Sequence, residues 1–259
     1  MTRLEQLARS LVCGMALLLL NADFAAAEVH ATEEFESGAT RPVTVALLPS
    51  HVELMKQRMI RREAEVDESG ELESHLTGAV ASELLLKGYD VRVISAQQIA
   101  ADSELQGLVV EADRRFDELL GNVSTRLRKQ IETRRYHAGD SITLLANKLG
   151  VDAIAFTRMQ LVANAKAVQA LNFGMGGTQT MMSVSLVDKN TTDIEAYVTL
   201  PIMKRGKMFG GYDDVMKDPD VEMARFASAT LGDLVAADPS LRKEQASDDV
   251  ISDLESLLE

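Results

Sequence analysis

The chain has 259 residues and a formal net charge of −13 at pH 7. Such an acidic protein repels phosphate backbones, so its composition argues against nucleic acid as a partner. Aromatic residues make up only 4% of the sequence and tryptophan is absent, which argues against a stacking platform for sugars or bases.

Residues 1–27 have the three parts of a bacterial export signal in the expected order. Two arginines precede an apolar run at residues 11–20, and three consecutive alanines follow it. The run is too short to cross roughly 30 Å of hydrocarbon at about 1.5 Å per residue. We therefore predict cleavage between Ala27 and Glu28, which places the mature protein in the bacterial periplasm or outside the cell.

Cys13 is the only cysteine of the chain, and it lies inside the predicted signal. Val12 precedes it and most of the apolar run follows it, so the sequence does not match a lipid-attachment site. Cleavage would leave a mature chain with no disulfide, no thiol nucleophile and no cysteine ligand for a metal. No later segment is long and apolar enough to span a bilayer, so we expect a soluble mature protein.

The first part of the mature chain predicts a linker followed by alternating strands and helices. Residues 28–41 are polar and without a hydrophobic period, which is typical of a flexible linker. The run 42–50 predicts a buried strand, and the charged stretch 51–70 predicts a loop with a helical turn. Apolar residues at helical spacing predict a helix over 71–87, and residues 89–94 predict a strand.

Residues 140–156 repeat this order of helix, glycine and strand. Both corners contain a glycine, an apolar residue and an aspartate, in Gly88-Tyr89-Asp90 and in Gly150-Val151-Asp152. A glycine in this position ends a helix with a positive φ angle, so we predict φ > 0 at both glycines. The repeat indicates two successive units of one α/β layer.

Residues 103–135 are a long amphipathic stretch with apolar side chains at a period near 3.6, which predicts a helical insertion in the domain. Basic side chains lie mostly on the opposite face. Two interpretations stay open for them: a solvated helix face neutralised by neighbouring acids, or a docking surface for an acidic partner. The candidate partner-binding residues are Arg114, Arg115, Arg126 and Lys129.

The last third of the chain becomes rich in β-forming residues. Alternating runs at 178–187 and 194–203, joined by a polar turn, predict a hairpin. Asp218 and Pro219 predict the start of a helix that reaches residue 237. Residues 239–259 contain six acidic and two basic residues and predict an acidic tail.

Two features of this region leave a ligand site open. The candidate loop Gly174-Met175-Gly176-Gly177 precedes a strand, whereas a dinucleotide-binding loop must open a helix. Seven of the 12 methionines lie between Met175 and Met223. Thioethers bind Cu(I), although methionines more often fill cores. The four histidines lack metal-ligand spacing and the chain shows no complete catalytic motif, so we expect neither a cofactor nor an enzyme.

The order of these elements resembles a group of bacterial envelope modules. The resemblance rests on four segments: the strand at 43–49, Leu85-Leu86-Lys87-Gly88-Tyr89-Asp90-Val91, the helix end and strand at 146–154, and Val184-Ser185-Leu186-Val187-Asp188. Over residues 42–237 they resemble the curli secretion channel protein, the penicillin-binding-protein activator lipoproteins and the TolB N-terminal domain. The resemblance implies a non-enzymatic binding or assembly unit. This chain departs from the group in its lack of a lipid anchor and in its long helical insertion.

Together these observations predict a single α/β domain over residues 42–238, with a mixed sheet of about five strands and packed helices. The predicted function is an exported periplasmic interaction module that assists assembly or regulation of a cell-envelope complex. It would bind envelope proteins, and it could also form a homo-oligomer. The alternative is a periplasmic protein that binds a small ligand or copper through the loops within 174–211.

Overall fold

The computed structural model describes residues 27–57, 62–121, 131, 136–164, 179–204 and 212–237. Within them, one mixed sheet carries helices on both of its faces, so the predicted single α/β domain is confirmed. The described sheet has eight strands instead of about five.

The strands are β1 Glu28–Ala31, β2 Thr44–Leu47, β3 His51–Gln57, β4 Arg62–Ala64, β5 Asp90–Val93, β6 Ala153–Asn164, β7 Gln179–Asp188 and β8 Ile194–Lys204. The helices are α1 Glu33–Ser37, α2 Val66–Leu86, α3 Ala96–Ala101, α4 Ser103–Gly121, α5 Asp140–Leu149, α6 Tyr212–Lys217 and α7 Pro219–Leu231. The predicted hairpin is confirmed as β7 and β8, whereas α7 ends six residues before the predicted boundary at residue 237.

The strands follow the order β1-β8-β7-β6-β2-β5, and the long strand β6 has two successive neighbours on one side. Its first part pairs in parallel with β2, with Ala46 opposite Ile154. Its second part pairs in parallel with β3, with Leu54 opposite Leu161, and β3 in turn pairs with β4. The sheet therefore forks where the chain leaves β2 and enters β3.

Alternating side chains along the strands divide the apolar core into two clusters. On β2, Val45 and Leu47 face the cluster beneath α2 and α7. Ala46, and Leu48 directly after the strand, face the cluster beneath α4 and α5. Period-two alternation with both faces apolar is typical of a strand buried on both sides, as parallel strands usually are.

The prediction of a flexible linker at residues 28–41 is wrong. Strand β1 pairs with β8, and the Phe35 side chain of α1 is fully buried in the first cluster. The Thr32 and Thr40 hydroxyls both donate to Oε2 of the buried Glu195, the second at 2.8 Å. These contacts come from distant residues, so the local composition did not reveal them.

The prediction of a loop at residues 51–70 is also wrong, because β3, β4 and the start of α2 occupy this stretch. Val52 and Leu54 are buried, while His51 and Glu53 are exposed between them. This alternation is the period of a half-buried strand. The charged residues on the solvent side concealed it.

Candidate interaction surface

Strand β5 lies at one side of the sheet and pairs only with β2 among the described strands. The Asp90 N–H donates to the Val43 carbonyl at 2.9 Å, and the Ile94 N–H donates to the Leu47 carbonyl at 2.9 Å. Backbone groups of successive residues in a strand point to opposite sides. Those of Val91 and Val93 therefore point outward, where the described part of the chain supplies no further strand.

Large apolar side chains are exposed along this open edge. Val93 is 45% exposed, although parallel strands are usually covered on both faces. Val43, which bonds to Asp90, and Leu85 and Leu86, which end α2 just before the corner, are each more than half exposed. We call the strand Asp90–Val93 together with Val43, Leu85 and Leu86 the β5 edge.

The β5 edge also has one charge of each sign on the same face. Asp90 is exposed, and its carboxylate has no hydrogen-bond or ion-pair partner among the residues that the structure describes. Arg92, two residues further on, is exposed as well, and its Nη1 donates to the Leu149 carbonyl at the end of α5 at 2.9 Å. Asp90 and Arg92 alternate with Val91 and Val93 along the strand, so their side chains point to the opposite face of the sheet.

At the second corner, after Gly150, the carboxylate of Asp152 has hydrogen-bond and ion-pair partners. Asp152 Oδ2 accepts hydrogen bonds from the Thr44 N–H at 3.1 Å and the Thr44 hydroxyl at 2.9 Å. Its Oδ1 lies 3.0 Å from Lys189 Nζ. Burial raises the pKa of Asp152, but the hydrogen bonds from Lys189 and Thr44 outweigh it and lower that pKa to about 2.

Arg114 and Arg115, two of the candidate partner-binding residues, are paired within α4. Arg114 Nη2 lies 2.6 Å from Glu111 Oε1 and the same guanidinium also bonds Glu118, while Arg115 Nε lies 3.0 Å from Glu111 Oε1. The hydrogen bond from Arg114 lowers the pKa of Glu111 to about 2. Both arginines are thus paired with acids of their own helix, which favours the interpretation as a solvated face.

Arg126 and Lys129 lie outside the described residues, so a docking role for them stays a prediction. The candidate loop Gly174, Met175, Gly176 and Gly177 also lies outside them, and its ligand role is untested. Met182 on β7 and Met223 on α7 lie within the described part, and both side chains are fully buried in the core.

Arg158 of β6 fastens α4 to the sheet. Its Nη2 and Nε lie 2.8 Å from carboxylate oxygens of Asp113 and Asp117. Its guanidinium also stands 5.4 Å from the Phe116 ring centre, over a stacked pair of rings formed by Phe116 and Phe156. These contacts hold one side of α4 against the sheet of its own domain.

The predicted cleavage site, Ala27 and Glu28, lies at the first residues that the structure describes. Glu28 opens β1 opposite Thr199, and Ala27 packs against the first core cluster. The rest of the predicted signal and the acidic tail lie outside the described residues. Within the described ranges, no helix is long and apolar enough to cross a membrane, and no group of three potential His, Cys, Asp or Glu ligands comes together.

Comparison with known proteins gives no family assignment. No protein-family model matches the chain, and no curated protein sequence matches it. Among solved structures, it is similar to the PelC dodecamer from Paraburkholderia phytofirmans, with 8% identity and a TM-score of 0.40 over 82% of this chain and 94% of that chain. A single-substitution variant of the same dodecamer gives 9% identity and a TM-score of 0.39 over 82% and 98%. Likenesses this distant carry no functional argument.

Sequence reasoning missed Asp90, Arg92 and Val93 as surface candidates. The three residues were predicted as part of a strand, but the sequence did not indicate that this strand lies at the side of the sheet. The one available indication is composition, because aspartate and arginine are unusual in a parallel strand covered on both faces.

Proposed function

We propose that this chain is an exported, non-catalytic interaction module that assists assembly or regulation of a bacterial cell-envelope complex. The observation that carries the proposal is the open β5 edge, with outward backbone groups at Val91 and Val93 and exposed apolar side chains beside them. An unpaired strand edge is a template for pairing with another chain, and β5 offers four residues for such pairing, two of them charged.

The β5 edge has the backbone groups needed to pair with one more strand. An extended segment of a partner would bond to the outward N–H and C=O groups and would cover the exposed side chain of Val93. Leu85 and Leu86, the last two residues of α2 before the corner that leads into β5, are exposed as well.

The start of the fold supports the export part of the proposal. The predicted cleavage bond between Ala27 and Glu28 lies immediately before β1, whose first residue is Glu28. Cleavage there would remove the predicted signal and leave every described strand and helix intact. The predicted signal and the folded domain therefore do not compete for the same residues.

Site-specific photo-crosslinking in the living host tests the proposal. We expect a photoreactive amino acid in place of Val93 to give a protein adduct, because this side chain would lie under the added strand. The matched control is the same replacement at Val221, which is 52% exposed on α7, away from β5. Adduct yields that are equal at the two positions would contradict the proposal.

A backbone variant shows whether the contact uses strand pairing. Val91→Pro removes an outward N–H, while the ladder to β2 uses the N–H groups of Asp90 and Ile94. We expect loss of the adduct at Val93 in a variant that a thermal melt shows to be folded, with a somewhat lower melting temperature because Val91 packs against the first core cluster. A Cu(I) titration of the same proteins checks the alternative of a copper-binding protein directly.

A further inference from the structure

We infer that the strand that pairs with the β5 edge is β5 of a second copy of this chain, running antiparallel about a two-fold axis at Val91. The inference rests on the proposed function, since it takes the same edge as the binding site and names the partner. In this register Val91 lies opposite itself, and Asp90 lies opposite Arg92 of the second copy.

The backbone of β5 suits this register. In an antiparallel ladder, alternate residues exchange both N–H···O bonds with the residue opposite them. Val91 points its N–H and C=O outward, so two copies of Val91 can exchange both bonds across the axis. The Val93 N–H, also outward, then faces the Tyr89 carbonyl of the second copy. The Tyr89 N–H is not required, because it donates to the Leu84 carbonyl at 3.1 Å.

The charges of the β5 edge complement each other only in this register. Positions between the hydrogen-bonded pairs bring side chains closest, with Cα atoms about 4.5 Å apart, and these positions hold Asp90 opposite Arg92 on both sides of the axis. An axis at Arg92 would place two arginines face to face. An axis at Val93 would place Arg92 opposite Ile94 and leave both charges without a partner across the interface.

The exposed side chain of Val93 is covered in the same arrangement. Val93 lies two residues from Val91 and so points to the same face of the sheet, the face on which Val91 packs beneath α2. The register puts Val93 opposite Tyr89 of the second copy, whose side chain is buried in the first core cluster of that copy, so Val93 packs over the backbone there. A two-fold axis makes this contact twice, as an isologous interface requires. The interface is small, so we expect a dissociation constant on the order of micromolar.

Sedimentation equilibrium of the mature protein purified from its host tests the inference. We expect a monomer–dimer equilibrium in the parent and about tenfold weaker association in Asp90→Arg, because arginine then faces arginine twice. Arg92→Asp should weaken association similarly by placing aspartate opposite aspartate. The double variant Asp90→Arg, Arg92→Asp restores opposite charges and should recover the parent's dissociation constant.

Glu71→Arg is the matched control, since it makes the same change of charge at an exposed position of α2 and should leave association unchanged. Thermal melts show that each variant is folded. A parent that stays monomeric over the whole concentration range, or a double variant that stays as weak as the single ones, would overturn the inference.

The crosslink at Val93 separates this inference from the proposed function. An adduct of twice the chain mass supports both. An adduct with a different protein, together with a monomeric purified chain, overturns the second copy as partner and leaves the proposed function standing. The absence of any adduct above the Val221 control overturns both.

Discussion

The two helix–strand corners have the same local sequence pattern and different surroundings. Each ends a helix at a glycine with positive φ, 81° at Gly88 and 64° at Gly150, so the predicted backbone is confirmed. After Gly150 the chain enters β6, an inner strand, and Asp152 binds Thr44 and Lys189. After Gly88 the chain enters β5 at the side of the sheet, and Asp90 stays exposed.

The difference separates what the helix end and its glycine determine from what the neighbouring strand determines. The glycine and the helix before it fix the path of the backbone, because only a residue without Cβ adopts the left-handed conformation at little cost. The neighbouring strand decides the chemistry of the aspartate. Where β2 supplies a hydroxyl and an N–H, the carboxylate becomes part of the fold. On the outer side of β5, where the described residues supply no further strand, the carboxylate stays exposed.

Valine at either corner glycine should have the largest effect. Gly88→Val and Gly150→Val each force a β-branched residue into positive φ, and we expect about 2 kcal/mol of destabilisation in chemical denaturation. Gly78→Val is the control, since a Cβ there has no neighbour within 4 Å and the helix gains propensity. If the corner variants unfold like the parent, the common backbone geometry is wrong.

Removing the charge of each aspartate should separate the corners. Asp152→Asn loses a charge-assisted contact with Lys189, and we expect a loss of about 1 kcal/mol after allowance for the partial exposure of the pair. Asp90→Asn should change the free energy of unfolding of the monomer by less than about 0.5 kcal/mol. Equal losses in denaturant titrations of the two variants would show that Asp90 has a folding role that its exposure does not explain.

Removing the carboxylate of Asp152 should also change the response of the fold to acid. Folding lowers the pKa of Asp152 from 3.8 to about 2, so the unfolded chain takes up this proton first as pH falls. The stabilisation is complete above the unfolded pKa and disappears as pH falls through the folded pKa. Asp152→Asn should therefore lose less stability than the parent between about pH 5 and pH 2. Denaturant titrations followed by circular dichroism at each pH measure the free energy of unfolding of the variant and the parent.

The smallest expected effect lies at the contact that joins the corners. Arg92→Met removes the hydrogen bond to the Leu149 carbonyl, and an exposed contact at a helix end is worth about 0.5 kcal/mol. Arg92→Lys keeps a positive charge near the end of α5 and should retain part of this stability. A loss above about 2 kcal/mol in Arg92→Met would indicate that the two corners depend on each other structurally.

Much of the fold could be predicted from short-range patterns. The corners, the β7–β8 hairpin and the amphipathic α4 each depend on residues close together in sequence. Strand β3 carried a usable alternation at Val52 and Leu54, but His51 and Glu53 led to the prediction of a loop. The segment containing Phe35 could not be predicted in this way, because its stability depends on β8 and Glu195.

The candidate surfaces could be predicted less well, for the same reason. Arg114 and Arg115 were visible as a basic pair, and Glu111 and Glu118 were visible as neighbours, yet only the helix geometry shows that they neutralise one another. The open side of β5 depends on the order of strands in the sheet. That order is set by packing over the whole domain, which no local pattern around Asp90 contains.

The pairing of β1 with β8 has a consequence for the timing of folding. Thr32 and Glu195 are 163 positions apart, so the first strand cannot be fixed until the last strand is available. If the predicted signal directs export from the N-terminus, β1 would cross before β8 and could not pair with it until most of the chain had followed. A peptidase that cuts between Ala27 and Glu28 would have that interval to reach the bond, and closure of β1 onto β8 would then end its access.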